Sequence, residues 1–227
     1  MATLEVPLFP LGVVLFPGTP QLLHIFEPRY RQMLADCLEG DRRFGLSFVK
    51  GDAGDDPEPL PGDVGCLASV HESRMLPDGR SNILAVGEAR YILRAYARSD
   101  LPYRMALVET FDDDDLSAPQ VAELAVQARA QFARFVTGMQ LLSDRPAQTI
   151  PLDGTPQAMS FQIAATLELE GEVKQELLAL QSTHARLQRL LQFLRPINHE
   201  LGRRVEVHTR ARGNGKGGPS QDVVTGS

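Results

Sequence analysis

Lysine is scarce in this sequence, and the overall charge is acidic. Lysine occurs only at positions 50, 174 and 216 of 227 residues, so arginine supplies most of the positive charge. Asp and Glu number 29 against 23 Lys and Arg, which leaves a formal net charge of −6. Nucleic-acid binding depends on a basic surface that neutralises phosphates, so this balance argues against a general nucleic-acid binder.

Cysteine is equally scarce, and this limits the metal and redox chemistry of the chain. Cys37 and Cys66 are the two cysteines. Two thiols cannot form a four-cysteine zinc site, and nothing in their number indicates a disulfide framework. We therefore expect two reduced thiols in a cytosolic protein.

Long uninterrupted apolar segments are also missing. The amino-terminal residues include no basic region, and the apolar stretch that follows is broken by prolines at positions 7, 10, 17 and 20. A signal peptide needs a basic start and a continuous apolar core. A membrane-spanning helix needs about 20 consecutive apolar residues. We expect neither, and we predict a soluble cytoplasmic protein with no membrane partner.

Motifs that would indicate catalysis or metal binding are incomplete or absent. The segment GNGKGG at 213–218 lacks the Ser or Thr and the glycine spacing of a phosphate-binding loop. His71-Glu72 and His199-Glu200 begin like a zinc-protease motif, but no second histidine follows at the required position. We predict no catalytic residues, no cofactor and no metal. A site assembled from residues distant in sequence stays open as an alternative.

Short apolar segments separated by Pro and Gly fill the first half of the chain. Proline cannot donate to a strand ladder, so the early prolines divide the apolar run into short strands. Pro28 favours the first turn of a helix, Gly40 is expected to end that helix, and Asp78-Gly79 favours a hairpin turn. The pattern predicts a small closed or half-closed barrel over residues 1–113. The predicted strands are Thr3–Leu8, Val13–Phe16, Gln21–Phe26, Phe44–Lys50, Val64–Glu72, Ile83–Val86, Ala89–Tyr96 and Tyr103–Phe111.

An acidic run, Asp112–Asp115, separates this half from a helical one. Four adjacent carboxylates could hold a cation, but we interpret them as a solvated linker before a helix, where negative charge is favourable. Apolar stripes at helical spacing then predict a helical bundle over residues 117–208. Pro196 is expected to kink or end the last helix. The Gly-rich residues 209–227 are expected to form a disordered tail.

The segment PLFPLGVVLFPGTPQLLHIFEPRYRQML, residues 7–34, resembles the start of the amino-terminal substrate-binding domain of the ATP-dependent Lon protease. Standalone bacterial members and LON-domain ubiquitin-ligase adaptors share its IFEPRYR variant. The resemblance spans residues 5 to 195, with Cys66 where threonine is common and Ala179 where glutamate is usual. Similar motifs follow in the family's order at Phe44-Gly45, Gly65–Val70, Pro77–Arg80, Gly87–Tyr91, Pro102–Glu109 and Met159–Leu194.

The resemblance implies an α+β fold, in which a PUA-like β pseudo-barrel of short strands with one helix precedes an α-helical bundle. It implies a non-catalytic module that binds unfolded or misfolded polypeptide. We expect a standalone bacterial member, without the ATPase and Ser-Lys protease domains, that acts as an adaptor or chaperone-like factor in protein quality control. A protease is a further expected partner. Two alternatives stay open: an RNA-binding PUA-like protein, and a small-ligand protein or enzyme with a pocket between barrel and bundle.

The candidate partner-binding residues lie where the third predicted strand enters the first helix. They combine charge, an aromatic ring and partial exposure, and they are Glu27, Arg29, Tyr30 and Arg31. A structural interpretation competes with this one, because Glu27 could serve the helix start and Tyr30 the core. We assign three neighbouring residues to the core rather than to a binding groove, namely Phe16, His24 and Phe26.

Overall fold

A computed structural model describes residues 3–50, 58–114, 119–143, 151–152 and 154–214, with side chains to residue 210. Strands fill the amino-terminal part and helices the carboxyl-terminal part, which confirms the α+β class. In chain order the elements are β1 (Thr3–Leu11), β2 (Pro20–Ile25), α1 (Pro28–Glu39), β3 (Arg43–Phe48), β4 (Val64–Met75), β5 (Ser81–Ala97), β6 (Met105–Phe111), α2 (Pro119–Leu142), α3 (Pro156–Thr166), α4 (Gly171–Ala179) and α5 (Thr183–Asn214).

The strands form one mixed sheet in the order β2-β5-β4-β3-β1-β6. A further pairing between β5 and β6 closes five of these strands into a ring. Strand β1 pairs with β3 in parallel, and the other ladders are antiparallel. The 17 residues of β5 allow it to pair with β2 and β4 along one half and with β4 and β6 along the other. Strand β2 therefore lies outside the ring, as an edge strand of the described sheet.

Helix α1 follows β2 and packs against one of the apolar clusters of the sheet. It begins at Pro28 and ends before Gly40, as predicted. Full burial of a large apolar side chain contributes roughly 1.5–3 kcal/mol, so the buried face of α1 attaches it firmly to the strands. That face consists of Tyr30, Met33, Leu34 and Cys37, which pack with Phe9, Phe44 and Ile83, among others.

The prediction of a strand at Val13–Phe16 is wrong. Leu15 and Phe16 are buried, but the segment is a loop. The Thr19 hydroxyl closes this loop by donating a hydrogen bond to the Phe16 carbonyl at 2.8 Å. Its apolar character therefore reflects burial of a loop, and not membership of a ladder.

The predicted break at Gly87 is also wrong, because β5 runs without interruption from Ser81 to Ala97. Gly87 marks a close approach between this strand and the loop before β2. A Cβ at Gly87 would lie 2.9 Å from the Phe16 carbonyl carbon and 3.0 Å from Sγ of Cys66. Glycine is needed there for space, and not to end a strand.

The chain divides into two compact units. One comprises Met1–Ala125 with Leu152–Leu190, and the other comprises Val126–Pro151 with Leu191–Ser227. In the second unit, Nδ2 of Asn198 donates to the Gln131 carbonyl at 2.8 Å. The division into residues 1–113 and 117–208 stays a prediction. Buried apolar residues of the second unit include Phe132, Val136, Leu191, Leu194 and Leu201.

Helix α5 is longer than the sequence pattern predicts. It continues through Pro196 to Asn214, so the proline does not end the helix. Residues 209–214, which the prediction places in a disordered tail, are therefore helical. Residues 215–227 of that tail, and residues 115–118 after the acidic run, lie outside the described part of the chain.

Both cysteines are free and buried. Burial, with the nearby carboxylates of Asp41 and Asp36, raises the pKa of Cys37 to about 12. Burial likewise raises the pKa of Cys66. Because the thiolate is the reactive form, we expect Ellman's reagent to label neither thiol of the native protein at mildly alkaline pH. Both should react in concentrated guanidinium chloride, and rapid labelling of either native thiol would contradict the burial described above.

Candidate functional site

Glu27 precedes α1 and organises its first turn. Its backbone carbonyl accepts hydrogen bonds from the N–H groups of Tyr30 at 3.1 Å and Arg31 at 2.9 Å. Its carboxylate makes no capping hydrogen bond. The carboxylate instead pairs with Arg29, with 3.0 Å between Nη2 and Oε2. Such partly exposed pairs contribute about 0–1 kcal/mol, so this contact orients Arg29 more than it stabilises the fold.

Tyr30 is a core residue that supports the surface above it. Its ring is buried and lies 4.4 Å from the Phe9 ring, centroid to centroid. The guanidinium carbon of Arg29 lies 4.7 Å from the Tyr30 ring centroid, within cation–π range. Glu27, Arg29 and Tyr30 therefore form one connected group, in which the tyrosine is the buried member.

Arg31 is exposed and is not part of this connected group. Its guanidinium lies against the β4–β5 turn, where a Cβ on Gly79 would come within 3.0 Å of Cζ of Arg31. Gly79 has a φ of +78°, so the turn itself favours glycine. Within the described residues, no carboxylate lies at ion-pair distance from Arg31.

Arg29 lines a small polar pocket of about 190 Å³ together with Tyr30, Tyr103, Arg104 and Glu58. Nε of Arg104 donates to Glu58 at 2.6 Å, and Arg29 is paired with its own carboxylate partner. Burial raises the pKa of Tyr103, and so does its hydrogen bond to Asp36, at 2.7 Å. Both arginines of this pocket are therefore already matched by carboxylates, and the phenol stays protonated.

A larger groove of about 490 Å³ lies between α1 and the β4–β5 hairpin. We call it the α1–hairpin groove. The partly buried Leu38 supplies apolar surface from the helix, beside the edge of the buried Leu34, and Met75, which is 76% exposed, supplies it from the hairpin. The volume falls in the range of about 300–1,000 Å³ that is typical of ligand sites. The groove is lined by Pro28, Arg31, Gln32, Leu34, Ala35, Leu38, Ser73, Met75, Gly79 and Ser81.

The prediction that Phe16, His24 and Phe26 all belong to the core is partly wrong, because two of these side chains, on and after β2, are exposed. Phe16 is buried as predicted, but Phe26 is 57% exposed and His24 is also exposed. Side chains alternate along a strand, so the inward-facing Ile25 turns both of its neighbours outward. The His24 and Phe26 rings stack with 6.0 Å between their centroids. Leu22, on the same outward side, is 75% exposed.

A buried ionic cluster joins the strands to the helices within the first unit, and sequence reasoning missed it. Asp113 was predicted to be part of a solvated linker, but its side chain is completely buried. Its carboxylate pairs with Arg90 of β5 and Arg186 of α5, and accepts a hydrogen bond from the Thr183 hydroxyl. The Phe161 ring of α3 contacts both guanidiniums, at 5.2 Å and 4.1 Å.

The remaining donors of the ionic cluster bind backbone carbonyls and a serine. Nη1 of Arg90 donates to the carbonyls of Leu178 at 3.1 Å and Leu180 at 2.5 Å. Arg186 donates to the Leu180 carbonyl and, through Nε, to the Ser160 hydroxyl, both at 2.7 Å. Buried charges are tolerated when they are paired and their remaining donors are hydrogen-bonded, as these donors are. The arrangement is structural: it fixes the start of α5 and the segment after β6 to β5.

The described residues contain no group of three or more His, Cys, Asp or Glu residues arranged to hold a metal ion. None of the helices in the described part of the chain is both long and apolar enough to cross a membrane.

Comparison with solved structures identifies proteins of the same fold. The Lon N-terminal domain protein from Xanthomonas campestris aligns with a TM-score of 0.60 and 24% identity, over 83% of this chain and 98% of that chain. The N-terminal domain of the Mycobacterium avium complex Lon protease aligns with a TM-score of 0.65 and 14% identity, over 84% of this chain and 97% of that chain. The fold is therefore that of Lon N-terminal domains.

Sequence comparison also identifies Lon proteases as relatives of this chain. The chain is 25% identical to the Lon protease of Syntrophomonas wolfei over 210 residues, which is 91% of this chain and 26% of that protein. It is 28% identical to Lon protease 1 of Thermus thermophilus over 196 residues, which is 84% of this chain and 24% of that protein. The chain thus spans about a quarter of these relatives. The model of the ATP-dependent protease La (LON) substrate-binding domain matches residues 5–195, and the chain belongs to that family.

Proposed function

We propose that this chain is a non-catalytic polypeptide-binding module that recognises exposed apolar segments of unfolded or misfolded proteins. In this role it acts as an adaptor or chaperone-like factor in the bacterial cytoplasm, with a protease as a further partner. The observation that carries the proposal is the family match over residues 5–195, because that family is described by substrate binding. The ring of five strands is, in this proposal, the PUA-like pseudo-barrel that the resemblance implies.

The binding surface in this proposal lies at the junction of β2 and α1. Leu22 and Phe26 offer exposed apolar area on either side of His24, whose ring stacks on Phe26, and exposed apolar patches mark interaction sites. Of the four residues predicted from the sequence, Arg31 faces the partner directly. Glu27 and Arg29 border the surface, and Tyr30 supports it from below.

A binding assay with an unfolded client tests the proposal. Fluorescein-labelled, reduced and carboxymethylated α-lactalbumin should bind the purified protein, as measured by fluorescence anisotropy, whereas native α-lactalbumin should not. Replacing Phe26 by serine should remove apolar contacts with the client worth roughly 1–2 kcal/mol, so Phe26→Ser should weaken client binding about tenfold. Circular dichroism would verify that the variant is folded.

Leu60→Ser is the matched control for this experiment. Leu60, like Phe26, is exposed, in its case to 68%, but it lies before β4 and not at the junction of β2 and α1. Its replacement should leave client affinity within a factor of two. Equal losses in the two variants would indicate non-specific adhesion, and no binding of the unfolded client at high micromolar protein would overturn the proposed function. A labelled single-stranded RNA, added at the same concentrations, would detect the RNA-binding alternative.

A further inference from the structure

We infer that the α1–hairpin groove selects polypeptide segments in which an acidic side chain stands next to apolar ones. The groove would take the apolar side chains on its floor and the carboxylate at Arg31. This inference rests on the proposed function and deepens it, since it names the chemistry of the segment that is bound. Apolar surface alone would make the module indiscriminate, whereas a charged contact supplies selectivity.

The floor of the groove is suited to aliphatic side chains. Leu34 and Leu38 lie one helical turn apart on α1, with the small Ala35 between them. Met75 faces them from the hairpin and is 76% exposed, and methionine adapts its shape to different apolar partners. An occupant would therefore recover apolar contact from both walls of the groove.

The charge of the groove is positive and unmatched within the described residues. Arg31 makes no ion pair there, and its guanidinium lies beside the Gly79 turn. Arg29 differs, because Glu27 already pairs with it and it lies over the Tyr30 ring. The same contrast disfavours the smaller pocket, whose Arg104 is matched by Glu58.

A carboxylate suits this position better than a neutral amide would. Guanidinium and carboxylate form parallel charge-assisted hydrogen bonds, which are about twice as strong as neutral ones. Because Arg31 is exposed, solvent weakens the pair, and the expected preference for an acidic over an amide side chain is about fivefold.

Two labelled peptides isolate this preference. Both carry fluorescein at the amino terminus and an amide at the carboxyl terminus, so no terminal carboxylate is present. Their sequences are Gly-Ser-Leu-Glu-Leu-Gly-Ser and Gly-Ser-Leu-Gln-Leu-Gly-Ser. Anisotropy titrations with the wild-type chain should give a dissociation constant about fivefold lower for the Glu peptide than for the Gln peptide.

Two variants remove the preference by different routes. Arg31→Gln deletes the charge, so the Glu peptide should bind about fivefold more weakly while the Gln peptide is unaffected. Ala35→Glu keeps the arginine but places a carboxylate four residues from it on the same helix, where it pairs with Arg31. That variant should also lose the preference for the Glu peptide. Arg98→Gln removes an exposed arginine that does not line the groove, and it should behave as wild type.

The outcomes separate this inference from the proposed function. Equal affinity of the wild-type chain for both peptides, or a preference that survives in Arg31→Gln, would overturn the inference. So would failure of both peptides to bind under conditions in which carboxymethylated α-lactalbumin does bind, and the proposed function would then stand without it. Failure of the unfolded client as well would instead contradict the proposed function itself.

Discussion

Replacement of Asp113 by alanine is expected to lower the free energy of unfolding by about 3–5 kcal/mol. Asp113 is the only carboxylate paired with the two buried guanidiniums of Arg90 and Arg186 among the described contacts. Without it, two positive charges that are at most 2% exposed would lose the carboxylate that pairs with both of them. The loss is large against a typical total stability of about 5–15 kcal/mol. Urea unfolding followed by circular dichroism would measure it.

The neighbouring Asp114 provides the control for this prediction. It is exposed, and its contact with the Gln181 carbonyl is made by its backbone N–H, which Asp114→Ala retains. That variant should unfold within about 0.5 kcal/mol of wild type, as substitutions at exposed positions usually do. Similar unfolding midpoints for Asp113→Ala and Asp114→Ala would show that the ionic cluster does not contribute to stability as its burial indicates.

The charge balance of the ionic cluster predicts that removing one arginine lowers the free energy of unfolding less than removing Asp113 does. Arg186→Met leaves one guanidinium and one carboxylate, and Leu180 still accepts a hydrogen bond from Arg90. The expected loss is therefore smaller than for Asp113→Ala, about 1–3 kcal/mol, which reflects lost hydrogen bonds rather than unmatched charge. A larger loss in Arg186→Met than in Asp113→Ala would contradict this assignment of roles.

Locally encoded features were predicted well from the sequence. Helix α1 begins at Pro28 and ends before Gly40, because fixed φ at the first turn and a glycine after the last are local signals. The Asp78-Gly79 turn is likewise encoded in the turn itself, where Gly79 adopts a positive φ. Family membership was also predictable, since it depends on several short motifs in order and not on any contact.

Features that depend on distant partners were not predictable in this way. Asp113 contacts Arg90, 23 residues away, and Arg186, 73 residues away, so an acidic run gave no sign that one member is buried. The α1–hairpin groove has the same origin, because a helix and a hairpin far apart in sequence form its two walls. The outward orientation of Phe26 required the register of β2 on β5, which an apolar run does not specify.

Gly87→Ala is the second substitution with a large expected effect, a loss of about 2–4 kcal/mol. The methyl group would collide with the Phe16 carbonyl group, which is backbone and cannot rotate away. The loop and the strand are also held at this point by hydrogen bonds. Gly18 donates to the Gly87 carbonyl at 2.8 Å, and Gly87 donates to the Thr19 carbonyl at 3.1 Å. Relief of the collision would therefore break these bonds and uncover Phe16.

Gly202→Ala is the control for Gly87→Ala, because it adds the same methyl group at a glycine where no collision occurs. Gly202 lies inside α5, and apart from that helix no atom of the described residues comes within 4 Å of its would-be Cβ, so Gly202→Ala should raise stability by about 0.5–1 kcal/mol. The two alanine substitutions should therefore change the free energy of unfolding, measured with urea, in opposite directions.

Thiol labelling gives an independent readout, because Sγ of Cys66 lies 3.0 Å from the added methyl position. Displacement of the loop in Gly87→Ala should speed the reaction of Cys66 with Ellman's reagent, while Gly202→Ala leaves it unreactive. A fully stable Gly87→Ala protein with a protected Cys66 thiol would mean that the loop and β5 do not meet as closely as described.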